Sequence, residues 1–245
     1  MFDHEFIPQV ADLEALVDDR TVAILYNFPS NPTGGTLNEQ QRDDLLAFAA
    51  KHDLWIISDE VYDRIVFETE HVSFMGTGYD KLMVVNYFSK TFAMTGWRIG
   101  YIVSTNLEAM KQVVKIQYYI SACSNDAMQY AVLEAMEKAN DYPSMMATEF
   151  QKRCKLIVDR LNAMPGVQCH QPKGSIYVFP KVDVPGMSSE DVALELLKDG
   201  VLCSPGSAFG PSGEGHLRFA YTIGQDDIAR GMDKVEATLT RLQQG

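Results

Sequence analysis

The sequence predicts an α/β protein with a mainly parallel sheet, followed by a smaller α+β unit. Apolar runs rich in β-branched residues alternate with amphipathic helical segments from about residue 21 to 104, which is the pattern of βαβ units. From about residue 106 the pattern turns helical, and the last 80 residues combine short strands with a closing helix. A chain of 245 residues with 46% hydrophobic residues is large enough to bury a core.

The first half contains four predicted strands, and the first of them is followed by a helix. Thr36–Glu39 matches a capping box that opens this helix. The predicted strands cover 21–27, 54–58, 83–88 and 100–104. The apolar face of the helix is formed by Leu45, Leu46, Phe48 and Ala49.

The second half is predicted to open with three helices, at 107–120, 125–138 and about 143–163, and Pro143 suits a first turn. Because the third helix is long, it is the natural connector, and we place a domain boundary near 148. This gives a large domain over 1–148 and a small domain over 149–245. The small domain is predicted to have strands near 167–170, 175–179, 201–204 and 216–221 and a helix over 226–242.

Charge and composition argue against several classes of protein. The net charge of −12 argues against nucleic acid or an anionic membrane as a partner. No apolar run reaches the roughly 18 residues of a membrane helix, and no secretory signal pattern opens the chain. The four cysteines show no metal-ligand spacing, so we expect no metal site and a reducing, cytoplasmic location.

The segment Ser89–Tyr101 carries the most specific chemical signal. Lys90 follows an apolar run, and partial desolvation at such a place favours the nucleophilic free amine, which can form a Schiff base with an aldehyde. Arg98 offers a planar fork suited to a phosphate. An aldehyde and a phosphate on one small molecule describe pyridoxal 5'-phosphate (PLP), which we predict as the cofactor.

Polar residues follow three successive predicted strands, namely Asn31, Asp59 and Lys90. In an open parallel sheet, ligands bind outside the carboxyl ends of the strands, so we expect these residues to converge. Asp59 would hold a pyridine nitrogen protonated, and Tyr62 would hydrogen-bond the phenolate oxygen of the cofactor. Arg218, on a predicted strand of the second domain, would bind a substrate carboxylate.

Each of these residues, taken alone, has an ordinary structural explanation. Lys90 could be a surface lysine, and Asp59 a turn cap. Asn31 could be a turn former in Asn-Pro-Thr-Gly. Arg98 could serve a salt bridge, and Arg218 could point to solvent. The prediction therefore depends on their combination.

Taken together, the motifs resemble the class I/II aminotransferases of PLP fold type I, the aspartate aminotransferase family. The motifs that carry the resemblance are Asn31–Gly34, Ser58–Tyr62, Ser89–Arg98, Pro205–Gly210 and Leu217–Arg218.

The resemblance implies that Lys90 is the Schiff-base lysine, Asp59 the pyridinium partner and Tyr62 the phenolate donor. It also implies that Arg98 binds the phosphate. Asn31 would contact both cofactor and substrate, and Arg218 would bind the α-carboxylate.

The sequence departs from the family pattern in two ways. The phosphate-site hydroxyl three residues before the lysine falls on Tyr87, and Ser89 is the candidate substitute. The chain also lacks the N-terminal third of the family's length, including the Gly-rich loop at the phosphate. We therefore expect an incomplete large domain whose sheet edges and apolar surface are uncovered.

The resemblance implies a PLP-dependent transfer of an amino group between an amino acid and a 2-oxo acid, and usually a homodimer. Aspartate or an aromatic amino acid, with 2-oxoglutarate, is the expected substrate pair. Two alternatives remain open on the sequence: a β-lyase or cyclopropane-carboxylate synthase on the same scaffold, and a truncated fragment without catalytic activity.

Overall fold

The structure is a computed structural model that describes residues 4–244, and those residues divide into two compact units. One unit comprises 7–29 and 36–146, and the other comprises 4–6, 30–35 and 147–244. The change of unit after residue 146 lies close to the boundary expected near 148. The turn that carries Asn31 groups with the C-terminal residues, although the sequence placed it in the first domain. The assignment of a cofactor domain and a small domain stays a prediction.

The first unit is built on a four-stranded sheet in the order β1-β2-β3-β4, in which the first three strands are parallel and β4 is antiparallel to β3. Helices flank the sheet, so the predicted α/β class is confirmed. The elements of this unit are α1 (Val10–Glu14), β1 (Ala23–Asn27), α2 (Glu39–Lys51), β2 (Trp55–Asp59), β3 (Leu82–Tyr87), α3 (Phe88–Thr91), β4 (Gly100–Val103), α4 (Leu107–Ser121) and α5 (Asp126–Lys138).

Two local predictions in this unit are wrong. Helix α2 is capped by Asn38, whose side chain accepts a hydrogen bond from the backbone N–H of Gln41 while the Gln41 side chain returns one, so the capping box does not begin at Thr36. Strand β3 ends at Tyr87, one residue earlier than predicted. Lys90 therefore lies on the short helix α3 and not directly at the end of a strand.

The core of the first unit lies between α2 and the sheet. Leu45, Phe48 and Ala49 of α2 are buried as predicted, and they share one cluster with Ile56 of β2 and Val84 of β3. The 3.6-residue period of the helix and the two-residue alternation of the strands bring these apolar faces together.

Helix α4 has no buried residue, although it is amphipathic. Val114, Ile116, Tyr118, Tyr119 and Ile120 are all more than half exposed. The outer strands β1 and β4 also expose apolar side chains, such as Leu25 and Tyr101. This unit therefore presents the uncovered apolar surface that the sequence led us to expect.

The second unit packs helices against two small antiparallel sheets, β5-β7 and β6-β9-β8. The strands are shorter than predicted, and the residues 201–203 are not in a strand. Strand β7 and helix α7 were not predicted. The elements are α6 (Tyr142–Asn162), which begins in the first unit, β5 (Val167–Gln168), β6 (Tyr177–Val178), β7 (Lys181–Val182), α7 (Ser189–Lys198), β8 (Ser204–Pro205), β9 (Leu217–Ala220) and α8 (Gln225–Gln244).

We expect Gly34→Ala to destabilise the second unit by roughly 2–4 kcal/mol. Gly34 has a φ of +72°, and a Cβ built there would lie 2.5 Å from the Cβ of Pro172. The change therefore adds backbone strain to a clash. Urea unfolding followed by circular dichroism measures the loss.

Gly231→Ala is the matched control for this prediction. Gly231 lies inside α8 with open space around it, so alanine should leave stability unchanged or raise it by about 0.5–1 kcal/mol. Equal stability of Gly34→Ala and the wild-type protein would show that the turn tolerates a side chain.

Candidate active site

Asp59 is the last residue of β2, and its half-buried carboxylate lies at the carboxyl edge of the parallel sheet. The backbone N–H of Val61 donates to Oδ1 at 3.2 Å, and the hydroxyl of Tyr87 donates to Oδ2 at 3.4 Å. Burial raises the pKa of Asp59, and the negative charge of Glu60 raises it further. The two hydrogen bonds lower this pKa but do not outweigh burial. Within residues 4–244, no cation lies within ion-pair distance of this carboxylate.

Lys90 lies on α3, which follows β3 directly, and its side chain is half-buried. Among the residues that the structure describes, its ammonium group makes no ion pair or hydrogen bond. An amine that no protein group engages is available to react with a carbonyl. Tyr62 is buried, with 3% of its surface exposed, in the turn that follows Asp59.

Arg98 ends the loop that follows α3. Its φ is +57°, in the left-handed region that non-glycine residues rarely adopt. Thr95 fixes this loop, because its hydroxyl donates to the carbonyl of Ser89 at 3.0 Å and its own carbonyl accepts from Arg98 Nη1 at 3.0 Å. Across the described part of the chain, no carboxylate pairs with Arg98, so its guanidinium can receive an anion.

A cavity of about 500 Å³ connects several of these residues. It is lined by the predicted site residues Ser89 and Arg98, by Tyr87, and by α4 residues such as Met110 and Gln117. Asp59 and Lys90 do not line it. The structure therefore places the predicted phosphate ligands on one cavity, while Asp59 and Tyr87 meet through a direct hydrogen bond.

Asn31 and Arg218 contact each other in the second unit. Arg218 Nη1 donates to Asn31 Oδ1 at 2.9 Å, and Nη2 donates to Ser204 Oγ at 3.0 Å. The guanidinium carbon lies 4.5 Å from the ring centroid of Tyr177 and 5.0 Å from that of Phe209. Stacking between two rings holds the planar guanidinium in one orientation, which suits recognition of a carboxylate.

Ser204, Tyr177 and Phe209 were not predicted as site residues. Phe209 lies in the Pro205–Gly210 motif, but the sequence does not show that its ring stacks on Arg218. The contact between Tyr177 and Arg218 follows from the register of the two strands. Tyr177 pairs with Ala220, and Ala220 lies two positions after Arg218. Knowledge of this register would have placed both side chains on one face of the sheet.

Glu60 and His71 are the other residues near the site that the sequence analysis missed. Glu60 is buried, and His71 Nε2 lies 2.8 Å from its Oε2. Burial alone would raise the pKa of Glu60, but hydrogen bonds from His71, Ser73 and Phe74 outweigh it and hold this pKa below its ordinary value.

The described residues, 4–244, contain no cluster that could hold a metal ion, and none of their helices is long and apolar enough to cross a membrane.

Comparison with known proteins identifies the family to which the chain belongs. The family model for aminotransferase class I and II matches residues 3–235, and the chain belongs to this family. The chain is 35% identical to an aspartate aminotransferase of Pyrococcus abyssi and 34% identical to an aromatic-amino-acid aminotransferase of Thermococcus litoralis. Each alignment covers 97% of this chain and 62% of the relative.

Solved structures show the same similarity. The aromatic aminotransferase from Pyrococcus horikoshii matches with a TM-score of 0.93 and 34% identity, over 98% of this chain and 66% of that one. The chain thus spans about three fifths to two thirds of the length of these proteins.

Proposed function

We propose that this chain carries the catalytic lysine and the cofactor-binding groups of a PLP-dependent aminotransferase, which moves an amino group between an amino acid and a 2-oxo acid. The observation that carries the proposal is the amine of Lys90 on α3, for which residues 4–244 provide no ion pair or hydrogen bond. Helix α3 follows directly after β3, whose last residue Tyr87 donates to Asp59. The family match and the two named relatives support the same reaction.

The residues of the first unit fit PLP. Asp59 is a half-buried carboxylate without a cationic partner in the described part of the chain, and a protonated pyridine nitrogen would supply that partner. Arg98 has no carboxylate partner there, and it would take the phosphate together with Ser89, which lines the same cavity. Lys90 would bind the aldehyde carbon. When bound, the cofactor supplies an electron sink for the bond that breaks at the substrate Cα.

Lys90 would also move protons during the reaction. Its amine would take the proton from the substrate Cα as general base and later give a proton back as general acid. Tyr62 would orient the ring oxygen of the cofactor. Asn31 and Arg218 would bind the substrate, with Arg218 on its α-carboxylate and Asn31 also contacting the cofactor.

The names of the relatives favour aspartate or an aromatic amino acid as the amino donor. The acceptor that we propose, 2-oxoglutarate, follows from the family resemblance. We propose a homodimer, as the resemblance implies. We propose a cytoplasmic location because the four cysteines are free thiols, as in proteins of reducing compartments. Size-exclusion chromatography with light scattering tests the dimer.

Arg218→Lys tests the proposed carboxylate site. A lysine cannot stack between two rings and offer two parallel N–H groups, so we expect KM for the amino acid to rise about 10- to 100-fold. The dissociation constant of PLP should change little. Steady-state kinetics and a PLP titration measure the two quantities.

Arg230→Lys is the control for this variant, because Arg230 is an arginine of the same unit that pairs with Asp227 on α8. An equal change of KM in both variants would remove Arg218 from the substrate site.

A fragment without activity is the second candidate. It is favoured by the exposed apolar face of α4 and by the share of the relatives that the chain spans. Absorbance spectroscopy after PLP addition separates the candidates. A visible band that differs from that of free PLP, and that borohydride converts into a pyridoxyl group retained by the chain, supports the proposed enzyme. A spectrum equal to that of free PLP supports the fragment.

A further inference from the structure

The carboxylate of Glu60 is almost completely enclosed, with 4% of its side chain exposed. Ser58 Oγ donates to Oε1 at 2.9 Å, and the backbone N–H of Phe74 donates to the same oxygen at 3.1 Å. His71 Nε2 lies 2.8 Å from Oε2. A buried charge is tolerated when hydrogen bonds satisfy it, and Glu60 meets this condition on both oxygens.

These contacts join the end of β2 to a segment more than ten residues further along the chain. Phe74 is 1% exposed, and its ring stacks on the ring of Tyr26 of β1 at a centroid distance of 5.6 Å and an angle of 7°. The segment 71–74 is therefore anchored in the core beneath the sheet. Through Glu60, it also anchors the backbone that leaves β2.

Alternation along the strand gives this anchor a consequence for Asp59. Successive residues of an extended segment point to opposite faces, so Ser58 and Glu60 share the buried face and Asp59 points away from it. Fixing Ser58 and Glu60 on one side fixes the direction of the Asp59 carboxylate on the other.

We propose that Glu60 and His71 are a positioning pair that sets the direction and the electrostatic environment of the Asp59 carboxylate. Neither residue needs to contact substrate or cofactor. The effect of the pair on the ionisation of Asp59 rests on the structure alone. Its effect on the ring nitrogen of the cofactor rests on the proposed PLP function.

The charges around Asp59 determine the sign of the expected effect. Glu60 is held ionised, and its charge raises the pKa of Asp59. Asp63 is another carboxyl close to His71, and Arg64 lies beside Asp63. Burial raises the pKa of the Tyr101 hydroxyl, and the charges of Asp63 and Glu60 raise it further. Removing the charge of Glu60 should therefore make Asp59 easier to ionise. Replacing His71 also removes the positive charge of a protonated imidazole, which opposes any loss of charge on Glu60.

The first measurement uses the cofactor-free chain. Carbon-13 NMR follows the Asp59 carboxyl against pH, with its signal assigned by its loss in Asp59→Asn. Glu60→Gln, which keeps the side-chain shape, should lower the midpoint by about 0.5 unit or more. His71→Ala removes the positive charge together with the donor, so it should shift the midpoint less than Glu60→Gln does.

His52→Ala is the matched control, because His52 pairs with Glu14 at 3.1 Å elsewhere in the same unit and should leave the Asp59 midpoint unchanged. An unchanged midpoint in Glu60→Gln overturns the proposal, and this variant decides it even if His71→Ala does not fold.

The second measurement compares the affinity for PLP with the affinity for its analogue that has carbon in place of the ring nitrogen. We expect His71→Ala to weaken PLP binding about 10-fold and to change binding of the analogue less than about 2-fold. Equal losses for both ligands would show that the pair only supports the fold, and would overturn its role toward Asp59. If the wild-type chain binds no PLP, the proposed function fails, and the NMR titration still decides the electrostatic part.

Discussion

Replacing Lys90 with alanine is expected to abolish the absorbance band that distinguishes lysine-bound PLP from free PLP, and to reduce amino transfer by about 10²- to 10⁴-fold or more. The variant loses both the amine that binds the aldehyde and the group that moves the proton at the substrate Cα. Absorbance spectroscopy and single-turnover kinetics with an amino acid measure the two losses.

Lys111→Ala is the control for this prediction. Lys111 lies on α4, is largely exposed and pairs with Glu108, so its loss should change neither quantity. Turnover by Lys90→Ala at the wild-type rate would remove Lys90 from the mechanism.

Asp59→Asn is expected to have opposite effects on activity and on stability. Asparagine cannot hold the cofactor's ring nitrogen protonated, and we expect turnover to fall by about 10²-fold or more. The cofactor-free chain, in contrast, should become more stable at pH 7. Asp59 is half-buried, and its raised pKa means that its charged form is less favourable in the folded chain than in the unfolded one.

The pH dependence of this stability follows from the direction of the shift. A carboxyl whose folded pKa is raised contributes stability below its unfolded pKa, and this contribution is lost as pH rises through the folded value. The variant should therefore gain about 0.5–1 kcal/mol at pH 7, a value kept small because water screens a half-exposed carboxyl, and should gain nothing near pH 3.5. Urea unfolding of the cofactor-free chain at both pH values tests this.

Asp19→Asn changes an exposed carboxyl of the same unit and should have no such pH-dependent gain. A loss of stability in Asp59→Asn at pH 7 would show that the charged form of this half-buried carboxyl is not disfavoured in the folded chain.

The alternation of strands and helices in the sequence predicted the parallel sheet and α2, because burial of one face imposes a strict period on each element. The same patterns did not predict that β4 runs antiparallel, since direction depends on the connection between strands and not on their composition. The end of β3 was misplaced because Phe88 is apolar in either state. This one-residue difference moved Lys90 from a strand end onto a helix.

The candidate site was partly accessible from the sequence. Lys90, Asp59 and Arg98 stand in motifs with recognisable chemistry, whereas the residues that contact Glu60 and Arg218 are distant in sequence. His71 lies eleven positions from Glu60, and Tyr177 reaches Arg218 only through strand register. The position of Glu60 relative to Ser58 is a local indication of its role. Residues two positions apart in a strand share a face, so Glu60 is buried beside Ser58, and a buried carboxylate requires hydrogen-bond donors.

Reductive trapping tests the central claim most directly. The chain is incubated with PLP, reduced with borohydride and digested, and mass spectrometry locates the modified residue. We predict a pyridoxyl group on the peptide that contains Lys90, with loss of that label in Lys90→Ala and retention in Lys111→Ala. A label on other lysines alone, or no label after saturation with PLP, would contradict it.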